Sequence, residues 1–118
     1  MKVIAPNIVR QRLLVEGYFN RNITEKEIVS FFNGITPELG LRAYGKPTIH
    51  STGDQGKKIN QGFDAFIPLI DSGIALYVWG NAKFFSTVIY TCKSFDVKKA
   101  VKFCKEFFDS KNFTYKSF

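Results

Sequence analysis

The stretch P-L-I-D-S-G-I-A-L-Y-V-W-G-N-A-K-F-F-S-T-V-I-Y-T-C, running from Pro68 to Cys92, holds two apolar runs with strand character, Ile74 to Trp79 and Phe84 to Thr91. A Gly80-Asn81 turn signal separates them and an Asp71-Ser72-Gly73 corner precedes them, which predicts two neighbouring antiparallel strands. At the ends of the stretch stand Ser72 and Cys92. The hairpin brings that hydroxyl and that thiol to the same end of a sheet, and the spacing predicts that both look into one cleft.

Upstream, Phe63 to Ile70 reads as a further strand, buried in character, and Gln11 to Phe19 as the first strand of the chain. In the latter, alternation places Leu14, Glu16 and Tyr18 on one face. Glu16 is then a carboxylate among apolar neighbours, either an edge charge in water or an acid aimed into a pocket. Thr24-Glu-Lys-Glu27 has the form of a capping box opening a helix, with Ile28, Phe31 and Phe32 as its apolar stripe. Gly34, Pro37 and Gly40 predict where that helix loosens and breaks. Leu41 to Thr52 alternates loosely, an edge strand interrupted by Gly45 and Pro47. Gly53 to Gly62 reads as a loop of the kind that borders binding sites, with Lys57 and Lys58 in it.

Downstream, Asp96 is the expected cap of a second helix. Its stripe Val97, Ala100, Val101, Cys104, Phe107 and Phe108 follows helical spacing while lysines take the other face, which makes Cys104 a packing residue. Thr114 to Phe118 completes the pattern β-α-β-β-β-β-α-β. That order predicts an α+β fold over residues 1–118, a two-layer α/β sandwich with an antiparallel sheet and two helices on one face.

The chain has 118 residues, a normal length for one domain, and carries 17 basic against 10 acidic side chains for a net charge of +7. The lysines are dispersed and accompany no zinc-finger, helix-turn-helix or RNA-binding signature, so the excess reads as solvated surface rather than a nucleic-acid interface. The single histidine, His50, has no companion ligand and reads as a surface residue. Two cysteines outside metal or redox spacing read as free thiols, and no metal site is expected. No apolar run approaches the ~18 residues of a membrane span. Pro6 interrupts M-K-V-I-A-P-N too early for a secretion signal, so the expectation is a cytoplasmic protein.

The segment I-D-S-G-I-A-L-Y-V-W with its later Y-T-C resembles the small pyruvoyl-dependent S-adenosylmethionine decarboxylases of bacteria and archaea. Members of that family carry Glu-Ser-His, then after three residues His-Thr-Trp-Pro-Glu, and further on Thr-Cys. The spacing from serine to tryptophan and on to Thr-Cys is matched here without a gap. In weaker form the likeness runs from Arg12 to the C-terminus.

The resemblance implies that Ser72 attacks the carbonyl of Asp71, forms an ester and is released as the N-terminal pyruvoyl group of a processed enzyme. It gives Cys92 the role of proton donor and places Trp79, Asn81 and Glu16 around the substrate, with Asn81 standing where the family's ribose-binding glutamate does. It implies a homo-oligomer with active sites completed across the interface, and a place in polyamine (spermidine) biosynthesis. The departures are specific. Asp71 replaces the glutamate before the cleavage point, Gly73 the histidine after it, Tyr77 the later histidine that assists autocatalytic cleavage, and Asp64 a helper serine. Phe84 and Phe85 join Trp79 as candidates to face a sulfonium, which is drawn to aromatic faces.

Three readings follow. The first is a decarboxylase proenzyme that matures at Ser72. The second is an unprocessed, cofactor-free relative that binds S-adenosylmethionine or breaks it by elimination, using Asp71, Glu16, Asp64 and Tyr77; small enzymes that destroy S-adenosylmethionine are known from phages. The third is a non-enzymatic basic module.

Overall fold

The computed structural model describes residues 2–53 and 57–118. In chain order it contains β1 (Gln11–Tyr18), α1 (Glu25–Glu38), β2 (Thr48–Ser51), a 3-10 turn at Lys58–Asn60, β3 (Gly62–Leu69), β4 (Ser72–Trp79), β5 (Phe84–Thr91), α2 (Val97–Phe107) and β6 (Asn112–Ser117). The six strands form one sheet in the order β2-β3-β4-β5-β1-β6, with every neighbouring pair antiparallel. The expected two-layer sandwich is therefore the observed one.

Alternation along the strands divides the side chains. Leu13 and Val15 of β1, Ala65, Ile67 and Leu69 of β3, Ile74, Leu76 and Val78 of β4, and Phe85, Thr87 and Ile89 of β5 are all buried. They face Ile28, Phe31, Phe32 and Ile35 of α1 and Ala100 and Cys104 of α2, which complete a single core cluster. Phe108 sits at its centre, stacked on Phe85 with ring centroids 3.9 Å apart and an interplanar angle of 11°. The buried Thr87 stays in this apolar layer because its hydroxyl donates to the carbonyl of Ala75 at 2.7 Å.

Several local expectations are corrected. Thr24 precedes α1, but its side chain does not cap the helix; its hydroxyl donates instead to the Glu27 carboxylate, which is also paired with Arg21 at 3.0 Å. The partner that a capping box needs is thus diverted. Helix α1 does not stop near Gly34 but continues through Pro37 to Glu38. Gly34 is a contact position rather than a terminator: a Cβ there would lie 2.6 Å from Cζ of Phe103, so the missing side chain is what lets α2 cross closely. Gly40, at φ +69°, makes the actual exit.

The strand expected over Leu41 to Thr52 shrinks to β2, with one isolated bridge between Ala43 and Leu69. Gly45 and Pro47 exclude a continuous ladder there. Asp96 caps α2 as expected, its carboxylate accepting from the backbone N–H of Lys98 at 2.9 Å and of Lys99 at 3.4 Å. The loop at Gly53 to Gly62 is tied down at its far end, where Gly80 N–H donates to Gln61 O and Asn81 Nδ2 to Lys58 O. Residues 54–56 of that loop lie outside the described residues.

Candidate functional site

The face of the sheet away from the helices is uncovered. In strand register it reads as transverse rows. Pro68, Gly73, Tyr90 and Arg12 make one; Thr48, Phe66, Ala75, Val88, Leu14 and Lys116 make the next. Phe66, Tyr77 and Tyr90 are among the large side chains exposed there, Phe66 by 47%.

At one end of this face lies a hollow of about 420 Å³, bordered by Phe66, Asp71, Ser72, Gly73, Tyr90 and Cys92 among others. The β3–β4 turn sets its geometry. The corner is one step earlier than the sequence suggests: Ile70 and Asp71 form a two-residue connection, since Leu69 already pairs with Ser72, and Ser72 and Gly73 belong to β4. Asp71 takes the left-handed conformation, φ 57°, that aspartate tolerates better than most residues.

Two features of this corner bear on chemistry. The carbonyl oxygen of Asp71 accepts a hydrogen bond from the backbone N–H of Cys92 at 3.0 Å, which polarises the carbonyl next to Ser72. The Ser72 hydroxyl is buried and has no hydrogen-bond partner among the described residues. An unsatisfied buried hydroxyl costs about 1–3 kcal/mol, and such groups are rare enough in folded proteins to need a reason.

Ser72 and Cys92 both border this hollow, but the pleat sends them different ways, so the expectation that hydroxyl and thiol look into one cleft is not met. The cross-strand neighbours of Ser72 are Leu69 and Thr91, both buried on the helix-covered face. Cys92, one position beyond Thr91, falls on the open side. The site therefore presents a thiol to the hollow, while the buried hydroxyl lies on the helix-covered side of the sheet.

Gly73 has a physical explanation. A Cβ there would meet Cζ of Phe66 at 2.7 Å, so the Phe66 ring occupies the space over the position where the decarboxylase pattern has histidine. The ring walls the hollow, a role that the sequence reading did not assign to Phe66 or to Tyr90. Their only sequence signal is alternation that leaves an aromatic on the polar phase of a strand.

The other candidates lie farther along the sheet. Asp64 of β3 pairs with Tyr77 of β4, which pairs with Ser86 of β5, which pairs with Glu16 of β1. Ser86 Oγ donates to Glu16 Oε2 at 3.1 Å, so this acid is a bonded member of the open face rather than a free edge charge. Tyr77 is five positions from Ser72 on the same strand, roughly 16 Å at about 3.3 Å per residue, and cannot touch it within one chain. Trp79 and Phe84 form the next row, with ring centroids 5.4 Å apart, and Tyr18 lies 5.3 Å from Phe84. Phe85, by contrast, is fully buried against Phe108 and is removed from the site. Asn81 is engaged with the Lys58 carbonyl at 3.2 Å. Cys104 is buried in the core, where desolvation pushes its thiol up to about 12 and keeps it neutral. Among the described residues no group of histidine, cysteine and acidic side chains is placed to hold a metal ion.

A helix pair on one face of a six-stranded antiparallel sheet, with a serine corner facing a Thr-Cys strand end, defines a two-layer sandwich with its candidate site at the strand ends. The family model for S-adenosylmethionine decarboxylase matches residues 15–118, and the chain belongs to that family. The fold is also that of the crystal structure of the adenosylmethionine decarboxylase from Aquifex aeolicus VF5, with a TM-score of 0.71 at 13% sequence identity, covering 94% of this chain and 89% of that one. No curated protein sequence matches. The family is pyruvoyl-dependent. Among the described residues no helix is long and apolar enough to cross a membrane.

Proposed function

We propose that this single-domain protein is a lyase acting on S-adenosylmethionine, in the first instance a decarboxylase proenzyme of the polyamine pathway that matures at Ser72. The observation that carries this reading is the corner itself: a buried, unpartnered Ser72 hydroxyl beside an Asp71 carbonyl that is already hydrogen-bonded by the Cys92 N–H. Attack of Ser72 Oγ on that carbonyl places negative charge on the Asp71 oxygen, where the Cys92 N–H stabilises it. Breaking the peptide bond leaves an ester through Oγ. Loss of the Ser72 α-proton then expels the Asp71 carboxylate, and hydrolysis releases ammonia and leaves a pyruvoyl group. That group supplies an electron sink for loss of the substrate carboxylate. Cys92, on the open side of the hollow, is placed to deliver a proton to the reacting carbon.

Maturation needs a base within hydrogen-bond reach of the hydroxyl. Tyr77 and Asp64 do not meet Ser72 in one chain, and the open face carries exposed Tyr18, Phe66, Tyr77 and Tyr90. A second copy packed on that face covers these side chains and brings the distal residues of one subunit to the corner of the other, so the working form is a homo-oligomer.

A second reading rests on a different observation. Asp64, Tyr77 and Glu16 form a row well apart from Ser72, and elimination from S-adenosylmethionine needs only a base and a setting that favours the neutral thioether over the sulfonium.

Intact mass after expression decides between them. Maturation gives two fragments, residues 1–71 and residues 72–118 with a blocked N-terminus, and Ser72→Ala stays whole. Chromatography of S-adenosylmethionine after incubation then tells a decarboxylated product from a released thioether. A whole chain that leaves S-adenosylmethionine untouched and does not bind it in calorimetry overturns both forms. Sedimentation equilibrium that finds only monomer overturns the oligomer.

A further inference from the structure

The row through Tyr77 is longer than the residues named so far. Its register runs His50 of β2, Asp64 of β3, Tyr77 of β4, Ser86 of β5, Glu16 of β1 and Thr114 of β6, one polar side chain from every strand. On one side it is bordered by Phe66, Ala75, Val88 and Leu14, and on the other by Trp79, Phe84 and Tyr18. A polar band between two mainly apolar bands on an uncovered sheet is not what solvation alone produces. An outward face that only meets water has no reason to confine its acids to one row between mainly apolar ones.

The chain has a single imidazole, and register sets it directly opposite a carboxylate. Cβ atoms of such a pair are about 4.5–5.5 Å apart, within hydrogen-bond reach of imidazole and carboxylate after rotation of either side chain. On the far side of Asp64 stands the Tyr77 phenol. The other same-face neighbours of His50 are Gly62 and Phe66 diagonally on β3 and Thr48 on its own strand, while Lys57 and Lys58 are carried by the segment that joins β2 to β3. Strand β2 is the sheet edge, so the imidazole is open to a ligand lying along the row.

We propose that His50 is the general base of this row and Asp64 its positioning residue, acting on a sulfonium substrate held between the carboxylates and the aromatic bank of Trp79 and Phe84. The inference deepens the elimination form of the function above and rests on it. In the step, an imidazole nitrogen takes a proton from the carbon adjacent to the one that bears sulfur. The released electron pair becomes the carbon–carbon double bond, the carbon–sulfur bond breaks, and the sulfonium leaves as a neutral thioether. The imidazolium then passes its proton to water. Asp64 holds the ring and is favourably placed for its transient positive charge, and the aromatic bank favours the cationic reactant's approach.

Because His50 is the only histidine, its imidazole gives one resonance in the tag-free protein, and this can be followed by NMR while S-adenosylmethionine is added. The expected result is a shift of that resonance on binding, altered in Asp64→Asn. His50→Gln releases thioether about a hundredfold more slowly and lacks the acid limb of the wild-type pH profile. If thioether is released but His50→Gln keeps both rate and profile, His50 is not the base, while the elimination form stands. If S-adenosylmethionine is only decarboxylated, and Ser72→Ala abolishes this, the elimination form fails and the assignment of His50 fails with it. If the ligand neither binds nor reacts, the lyase reading is overturned together with the inference.

Discussion

The two faces of this sheet are made from the same strands, yet they are governed by different rules. The helix-covered face is a closed apolar layer in which Phe31, Phe85 and Phe108 pack ring against ring and even Thr87 has its hydroxyl satisfied. The open face leaves Phe66 and Tyr90 exposed, keeps a polar row in register and carries a hollow at one end. The covered side specifies the fold through many mutually dependent contacts. The open side leaves large side chains exposed, and this is the side on which most of the candidate site residues lie. Ser72 is the exception: its hydroxyl belongs to the covered side by pleat and to the site by position.

That contrast is open to direct test. Phe108→Ala removes the ring that joins Phe19, Phe31, Phe85 and Phe107, and should lower unfolding free energy by about 3–5 kcal/mol in urea titrations. A loss below about 1 kcal/mol would show that the covered layer is not close-packed.

Cys104 offers a pH-dependent test of the same layer. Its thiol is raised from 9.0 to about 12 by burial, so the folded state retains a proton that the unfolded chain gives up. Stability from this group is complete below pH 9 and is lost as pH rises toward 12, at about 1.4 kcal/mol per pH unit within that window. Cys104→Ala should be less stable at neutral pH but show a flatter alkaline decline between pH 9 and 10; equal slopes would mean that the thiol is not sequestered.

Asp96→Ala removes the side chain that caps α2 and should cost about 1 kcal/mol, read from the urea midpoint. On the open side, Phe66→Ser should change stability by no more than about 0.5 kcal/mol while altering oligomer mass or ligand affinity. A large destabilisation of the isolated subunit by that substitution would erase the distinction between the faces.

Much of this was legible in the residues. The β-α-β-β-β-β-α-β order, the α2 stripe and its Asp96 cap, the packing role of Cys104 and the family resemblance all follow from local pattern, and so did the sandwich. The helix boundary at Gly34 was misread because a glycine that ends a helix and a glycine that admits a neighbouring ring look identical until the neighbour is known. Thr24 fits the capping-box pattern, but Arg21 competes for Glu27, a choice made in three dimensions. Phe85 and Phe84 are adjacent and chemically alike, and only the pleat relative to the helices sends one to the core and the other to the open face.

By itself the sequence determined which segments alternate, which stripe a helix must bury and which serine, cysteine and acids were available for chemistry, because these depend on neighbours a few positions away. Only the tertiary structure decided that β1 sits between β5 and β6, and hence that Glu16 bonds Ser86 and that His50, Asp64 and Tyr77 share one row. The reason is that strand pairing joins residues distant in the chain, and one step of register would have turned every one of those side chains to the other face.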